Sequence, residues 1–212
     1  MGQKIISEVL DGRRIVAVLR GQNALQYEDV IDTLVRAGVN GIELTLTTPG
    51  TLDALGSLRE RFGDTAKIGV GTVLTPEDAR TAIDRGAEYI VAPNLNPEVV
   101  TLAVEADIPV LPGVMTPTEV RTAVDLGAST VKIFPAQTVG AGYLKHLRGP
   151  FPDLQAVPSG GVDLDAAREW LSAGAPAVSV GGPLLGNVFK TGDLDQLKST
   201  ATAFVNALES NQ

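Results

Sequence analysis

Short apolar runs recur along the chain. Four of them follow a helix-like segment that ends in glycine, at Gly38, Gly86, Gly127 and Gly174. Successive glycines lie roughly 45 residues apart, which is too long for a single strand and helix. Further apolar runs lie between these glycines or before the first: 14–20, 68–73, 108–114 and 155–162. The pattern therefore predicts eight short strands.

Helical patterns separate the predicted strands. Over residues 24–37, apolar side chains recur at the helical spacing of three and four: Tyr27, Val30, Ile31, Leu34 and Val35. Three later helices are each predicted to begin with a capping side chain, a proline and an acid: at Thr75, Asn96 and Thr116. We expect the repeated glycine to end each helix in a left-handed conformation.

Short apolar strands that alternate with helices favour right-handed crossovers and a parallel sheet covered on both faces. We therefore predict an α/β fold, a (β/α)8 TIM barrel, formed as one domain by residues 1–212. A short helix at residues 3–11 is expected to close the bottom of the barrel. The alternative is an open doubly wound sheet, but the G-x-G-x-x-G fingerprint of that fold does not follow the first strand.

The composition is that of an ordinary globular protein, with 44% hydrophobic and 20% charged residues. Lysine and arginine total 17 against 25 aspartate and glutamate, and the net charge of -8 argues against a nucleic-acid partner. The N-terminal segment has no apolar signal region, and no apolar run is long enough to cross a membrane. We therefore expect a cytoplasmic protein with no membrane partner.

The chain has no cysteine and a single histidine, His146. These counts exclude disulfides, thiolate metal sites and a cysteine nucleophile, and they argue against histidine-dependent triads and sites with several histidine ligands. His146 lies in the segment YLKHLRGP and is interpreted as a solvated helix residue. We expect neither a metal nor a cofactor.

Two predicted strands carry an ionisable residue at their centre. Side chains alternate along a strand, so Glu43 and Thr45 of GIELTL should face the barrel interior, as should Lys132 and Phe134 of TVKIFP. Three further polar residues end strands one, three and seven, at the end of a barrel where enzymes carry out their chemistry: Arg20, Thr72 and Ser159.

Glu43 and Lys132 have opposite charges, so one interpretation is a buried structural ion pair. Such a pair is often no more stabilising than apolar residues of the same volume, which gives a barrel core little reason to contain one. The alternative is Schiff-base chemistry on a ketone, which needs a buried amine as nucleophile beside a carboxylate that moves protons. Metal-assisted enolisation would instead need several carboxylate or histidine ligands at the strand ends.

Two pairs of glycines follow predicted strands seven and eight, in the segments PSGGV and SVGGPL. Barrels often bind phosphate at this position, because glycine lets a phosphate approach backbone N–H groups closely. The alternative is that each pair forms an ordinary turn. The predicted phosphate-binding residues of these pairs are Gly160, Gly161, Gly181 and Gly182.

Motifs along nearly the whole chain resemble those of the 2-keto-3-deoxy-6-phosphogluconate (KDPG) aldolase family. They are RIVAVLRG, GIELTLTTP, IGVGTVLTPE, YIVAPNL, PVLPGVMTPTE, VKIFPA, GPFPDL and PSGGV, in this order. The family also includes 4-hydroxy-2-oxoglutarate (KHG) and 2-keto-3-deoxy-6-phosphogalactonate (KDPGal) aldolases. The resemblance implies a class I, metal-independent aldolase on a (β/α)8 barrel that forms a homotrimer. Lys132 would form the imine and Glu43 would move protons.

The resemblance also implies roles for the residues around this pair. Arg20, Thr72 and Pro93 would line the pyruvate end, and Phe134 would pack beside the lysine. The two glycine pairs and Ser159 would hold the phosphate of the substrate. Many family members carry arginine where this chain has Thr47, and many carry serine where it has Pro183. Thr47 is still predicted to bind substrate, but Arg20 is the stronger candidate for that role.

The expected activity is reversible cleavage of KDPG, or a close relative, to pyruvate and glyceraldehyde 3-phosphate. The first alternative is a KHG or KDPGal aldolase. A metal-dependent sugar-phosphate isomerase or epimerase would share the glycine-rich loops, and a non-catalytic trimeric scaffold would share the barrel.

Overall fold

The computed structural model describes residues 5–208, in which short parallel strands alternate with helices. The strands of this part of the chain are β1 (Ile15–Leu19), β2 (Gly41–Thr45), β3 (Lys67–Gly71), β4 (Ile90–Val91), β5 (Val110–Leu111), β6 (Gly113–Val114), β7 (Val131–Ile133), β8 (Ala156–Pro158) and β9 (Val178–Val180). Each predicted strand overlaps an observed one. The predicted strand at 108–114 is divided into β5 and β6 by Pro112, which has no N–H to donate to a neighbouring strand.

The helices of the described residues are α1 (Ile6–Val9), α2 (Tyr27–Arg36), α3 (Thr51–Phe62), α4 (Pro76–Asp84), α5 (Pro97–Glu105), α6 (Pro117–Asp125), α7 (Gly142–Arg148), α8 (Leu164–Ser172), α9 (Gly182–Leu185), α10 (Val188–Thr191) and α11 (Leu194–Leu208). Short 3-10 turns occur at Ala24–Gln26 and Ala136–Thr138. Within the predicted N-terminal helix at 3–11, only residues 6–9 are helical, and residues 3 and 4 lie outside the described residues.

The predicted helix ends are confirmed. Side chains at the three predicted capping positions accept backbone N–H groups at the start of α4, α5 and α6: Thr75, Asn96 and Thr116. The four recurrent glycines follow helices and have φ angles between 88° and 97°: Gly38, Gly86, Gly127 and Gly174. Glycine adopts this left-handed conformation without a steric penalty, so it lets the chain turn directly from each helix into the next strand.

The strands form two parallel sheets. One has the order β5-β4-β3-β2-β1-β9, and the other has the order β6-β7-β8. β5 and β6 are separated only by Pro112, and a bridge between Ser159 and Ser179 links the β8 and β9 sides. The parallel strands therefore curl into a half-barrel, with their carboxyl ends at one rim.

Two buried apolar clusters stabilise this arrangement. The larger cluster packs the outer faces of the strands against the helices and includes Ile42, Leu44, Val131 and Ile133. The smaller cluster contains residues from α1 and from several strands: Ile6, Leu10, Val16, Tyr89, Val91, Leu111, Val157 and Ala177. The backbone N–H of Ile6 donates to Thr130 Oγ1, at the amino end of β7. This hydrogen bond joins α1 to the residue before β7.

No helix within residues 5–208 is long and apolar enough to cross a membrane.

Candidate active site

A cavity of about 570 Å³ opens at the carboxyl ends of the strands. Every predicted site residue except Thr47 lines it: Arg20, Glu43, Thr72, Pro93, Lys132, Phe134, Ser159, Gly160, Gly161, Gly181 and Gly182. These residues come from seven different strands or the loops that follow them, so only the fold brings them together. Of them, Glu43 is 1% exposed and Lys132 is 6% exposed, although both have ionisable side chains.

Two glycines on β3 make room for the side chains inside the curled sheet. A Cβ on Gly71 would overlap the carboxylate of Glu43, and a Cβ on Gly69 would overlap the ring of Tyr89. The alternate residues of β3, Ile68 and Val70, point into the helix-facing cluster instead. The motif IGVG thus leaves the inner face of β3 bare, and Glu43 from β2 lies across it.

Glu43 lies among polar groups at the base of the cavity. Its Oε2 accepts a hydrogen bond from the hydroxyl of Ser179, at 3.3 Å. The nearby Tyr89 hydroxyl donates to the carbonyl of Ile42 at 2.6 Å, and burial followed by the charge of Glu43 raises the pKa of Tyr89 well above its ordinary value. Tyr89 is therefore a neutral structural donor.

Lys132 enters the same space from β7. Its Nζ lies 4.9 Å from the centroid of the Phe134 ring, within the range of a cation–π contact. Lys132 and Glu43 both border the main cavity and a small void below it. The alternation of side chains along the strands therefore predicted the correct face for both residues. The two described side chains make no direct ion pair within 4.0 Å. This arrangement leaves space between amine and carboxylate, and it does not support the structural ion-pair interpretation.

Thr72 is held in a strained conformation at the edge of the cavity. It follows β3 with a φ of 63°, in the left-handed region that β-branched residues rarely adopt. Strain of this kind costs on the order of 1–3 kcal/mol and persists where surrounding structure imposes it, often at functional sites. The side chain is thereby fixed against the cavity wall.

The glycine-rich loops form the wall on the β8 and β9 side. Gly160 and Gly161 have φ angles of 86° and 73°, and added Cβ atoms would press on Phe134 and overlap Gln137, respectively. Gly182 begins the short helix α9, with Pro183 in its first turn. Glycines at these positions leave the backbone unobstructed by side chains, as an anion-binding wall requires.

Thr47 does not line the cavity. Its exposed side chain donates to Thr45 Oγ1 at 3.2 Å, and Thr45 in turn donates to the carbonyl of Leu19. A substrate-binding role for Thr47 stays a prediction. His146 is exposed on α7, in agreement with its interpretation as a solvated helix residue.

Sequence patterns did not predict one side of the cavity, which is formed by apolar residues: Val18, Pro183, Leu185 and Phe189. The carbonyl of Phe189 accepts a hydrogen bond from Gln26, and its ring packs edge-on against Tyr27 at 6.2 Å between centroids. These contacts hold α10 over the loop that follows β1. No motif marks Phe189, since only the tertiary contact with Gln26 and Tyr27 brings it to the cavity.

Comparison with known proteins decides the family. The family described as KDPG and KHG aldolase matches residues 6–200. The chain belongs to this family. As a KDPG-type aldolase it is a lyase, and its cavity lies where the family resemblance predicted the site. Within residues 5–208, no group of three or more histidine, cysteine, aspartate or glutamate residues is arranged to hold a metal ion.

Individual relatives within the aldolase family cover most of the chain. It is 37% identical over 171 residues to 2-dehydro-3-deoxy-phosphogluconate aldolase of Haemophilus influenzae, covering 80% of each chain. It is 32% identical over 195 residues to 2-dehydro-3-deoxy-6-phosphogalactonate aldolase of Escherichia coli K12, covering 91% of this chain and 93% of that protein.

Solved aldolase structures are also similar. A native KDPGal structure superposes with a TM-score of 0.87 and 29% identity, covering 99% of this chain and 98% of the other. KDPG aldolase from Legionella pneumophila, with pyruvate captured as a covalent carbinolamine intermediate, superposes with a TM-score of 0.87 and 25% identity. That match covers 95% of this chain and 98% of the other.

Proposed function

We propose that the protein is a class I, Schiff-base aldolase that reversibly cleaves KDPG, or a close relative, to pyruvate and glyceraldehyde 3-phosphate. The observation that carries the proposal is a buried amine and a buried carboxylate, Lys132 and Glu43, that border one cavity without a direct ion pair. The carbinolamine of pyruvate in the similar Legionella pneumophila enzyme supports covalent chemistry of this kind.

The reaction begins when the neutral amine of Lys132 attacks the C2 ketone of the substrate. The resulting carbinolamine loses water to give a protonated imine, and Glu43 supplies and removes the protons that this dehydration needs. The imine then acts as an electron sink for the adjacent bonds. Phe134 packs against the amine and shields this side of the site from solvent.

Cleavage follows when Glu43, through a water, takes the proton of the C4 hydroxyl. The C3–C4 bond breaks, its electron pair forms an enamine with C2 and C3, and the C4 carbon leaves as the aldehyde. Protonation at C3 and hydrolysis of the imine release pyruvate and restore the free amine. The space between Lys132 and Glu43 is where the reacting carbons would lie.

We assign the pyruvate carboxylate to Arg20 and Thr72, beside the Pro93 turn. Arg20 and Lys132 are the cationic residues of the described cavity wall, and Lys132 is committed to the imine. The phosphate is assigned to backbone N–H groups at Gly160, Gly161 and Gly182, with Ser159 and Gly181 completing that wall.

Replacing Thr72 with glycine is expected to increase stability and weaken substrate binding. Glycine relieves the strain at a φ of 63°, so the free energy of unfolding should rise by about 0.5–1 kcal/mol. Loss of the hydroxyl should raise the KM about two- to tenfold. Denaturant unfolding and steady-state kinetics measure both effects.

The Thr72→Ala variant is the matched control, because it removes the hydroxyl but leaves a Cβ in the left-handed conformation. Its KM should rise as in Thr72→Gly, with a smaller gain in stability. An unchanged KM in both variants would contradict the role assigned to Thr72.

We further propose that the two sheets close into one eight-stranded (β/α)8 barrel, with α1 at the bottom and a single domain over the chain. Closure is supported by the bridge between Ser159 and Ser179 and by the continuity of β5 and β6 around Pro112. A homotrimer is proposed on the family resemblance. A similar structure, a protein cage designed by fusing symmetric oligomeric domains, supports self-association. The cytoplasmic location stays a prediction from the sequence.

Cleavage rates for KDPG, KDPGal and KHG test the substrate assignment. KHG has no phosphate to occupy the glycine-rich wall, so its kcat/KM should be roughly 10- to 100-fold below that of the better phosphorylated substrate. The rates should not change with EDTA. No cleavage of any of the three substrates would contradict the proposal, and turnover lost with EDTA would favour a metal-dependent isomerase or epimerase.

A further inference from the structure

Ser179 is a buried polar residue on a strand that is otherwise apolar. Its neighbours on β9, Val178 and Val180, point into the helix-facing cluster, so Ser179 points to the inside of the curled sheet. The side chain is 4% exposed and borders the small void beneath the main cavity. Neither the strand pattern nor packing requires a hydroxyl here, because valine or alanine would also fit a buried inner position.

The register of the sheet places Ser179 one layer below Glu43. Ser179 pairs with Val16 on β1, and Glu43 pairs with Val18, two residues further along the same strand. The hydrogen bond from Ser179 Oγ to Glu43 Oε2 therefore crosses β1 and joins β9 to β2. Ser179 and Glu43 both lie on paired strands, so the carboxylate is anchored to rigid backbone rather than to a loop.

Within residues 5–208, Ser179 is the one protein donor to this carboxylate. Tyr89 is close to Glu43 but donates its hydroxyl proton to the carbonyl of Ile42. Gly71 leaves room for the carboxylate but offers no side chain, and Lys132 lies beyond ion-pair distance. This hydrogen bond is 3.3 Å long, and its loss would leave the buried carboxylate without a protein donor.

We propose that Ser179 is a positioning residue for the aldolase reaction, because it holds Glu43 Oε2 and so orients the carboxylate toward the substrate cavity in its ionised form. This inference rests on the proposed function of Glu43. Proton transfers that use Glu43 should depend on Ser179. The attack of Lys132 on the ketone should depend on it much less, since Ser179 does not contact the amine.

The pH dependence has a defined direction. Removing the donor favours protonated Glu43, so the acid limb of the pH–kcat profile should move to higher pH. The other titratable groups around Glu43 are Tyr89 before β4, Lys132 on β7 and Arg20 after β1. None of these three groups is altered by a substitution at Ser179, so the shift would report the loss of this hydrogen bond.

The experiment compares Ser179→Ala with Ser179→Thr in the full-length protein. We expect S179A to lower kcat about ten- to a hundredfold, with the KM within about twofold of wild type. Exchange of pyruvate methyl protons with deuterated solvent should fall in parallel, while borohydride trapping of pyruvate should remain. S179T keeps the hydroxyl, and its extra methyl group can enter the small void, so it should restore most of the activity.

Thr130→Val is the matched control. It removes a different buried hydroxyl, which lies far from Glu43 and accepts a hydrogen bond from the backbone N–H of Ile6. It should lower the unfolding temperature without moving the pH profile. A folded S179A with wild-type kcat and pH profile would overturn the inference, and so would an S179T variant as defective as S179A. Failure of the wild-type protein to trap pyruvate would instead overturn the proposed function.

Discussion

Replacing Lys132 with alanine is expected to lower kcat for KDPG cleavage by at least about 10⁴-fold, because no other described lysine reaches the cavity. Without the amine, C2 remains a ketone and cannot accept the electron pair of the C3–C4 bond. The carboxylate of Glu43 can still remove the C4 hydroxyl proton, but the carbanion that would follow has no electron sink. Pyruvate release coupled to lactate dehydrogenase measures the rate.

Lys145→Ala is the matched control, since Lys145 is an exposed lysine on α7. It should keep the wild-type kcat. Lys132 makes no direct ion pair, so K132A should remain folded, with its main structural loss the contact with the Phe134 ring. A folded K132A that retains more than about a tenth of the wild-type kcat would show that the imine does not form at this residue.

Replacing Glu43 with glutamine is expected to lower kcat about 10²- to 10⁴-fold. Glutamine has the same shape, and its amide oxygen can still accept the hydrogen bond from Ser179, so the cavity should be preserved. It cannot take the C4 hydroxyl proton or return a proton at C3. The KM should change little, and exchange of pyruvate methyl protons with solvent should fall with the cleavage rate.

The control for this variant is Glu105→Gln, at an exposed position on α5. The kcat of Glu105→Gln should match that of the wild type. Both substitutions change the net charge equally, so a difference in kcat between them reports the loss of charge at position 43 itself. If E43Q folds normally and cleaves within about threefold of the wild-type rate, Glu43 is not the proton-transfer group.

Local sequence patterns could predict the two central residues. Side chains on a strand alternate between faces, so the apolar neighbours Ile42 and Leu44 on β2, and Val131 and Ile133 on β7, were enough to turn Glu43 and Lys132 inward. Helix ends could also be predicted from local sequence, because a capping side chain and a glycine act within one turn.

Features that depend on contacts between distant segments could not be predicted. The hydrogen bond between Ser179 and Glu43 joins residues 136 apart, and it follows from the register of three strands. Phe189 reaches the cavity only because α10 packs over the loop after β1. Thr47 occupies a position that the resemblance placed at the site, and its hydrogen bond to Thr45 was not predicted from the sequence.

Backbone conformation also could not be predicted from the sequence. Nothing in the run IGVGTV distinguishes Thr72 from an ordinary strand residue, yet its φ is positive because the chain turns at the cavity edge. Gly69 and Gly71, which precede Thr72, were predicted as part of a strand. Their function, to leave the inner face of β3 bare for Glu43 and Tyr89, depends on side chains from neighbouring strands.

Reduction with borohydride in the presence of pyruvate, followed by peptide mass spectrometry, tests the imine at Lys132 most directly. The prediction is one reduced pyruvyl group on the peptide that contains Lys132, with no adduct when pyruvate is omitted. Absence of an adduct in protein that cleaves KDPG, or an adduct confined to a different lysine, would contradict the account.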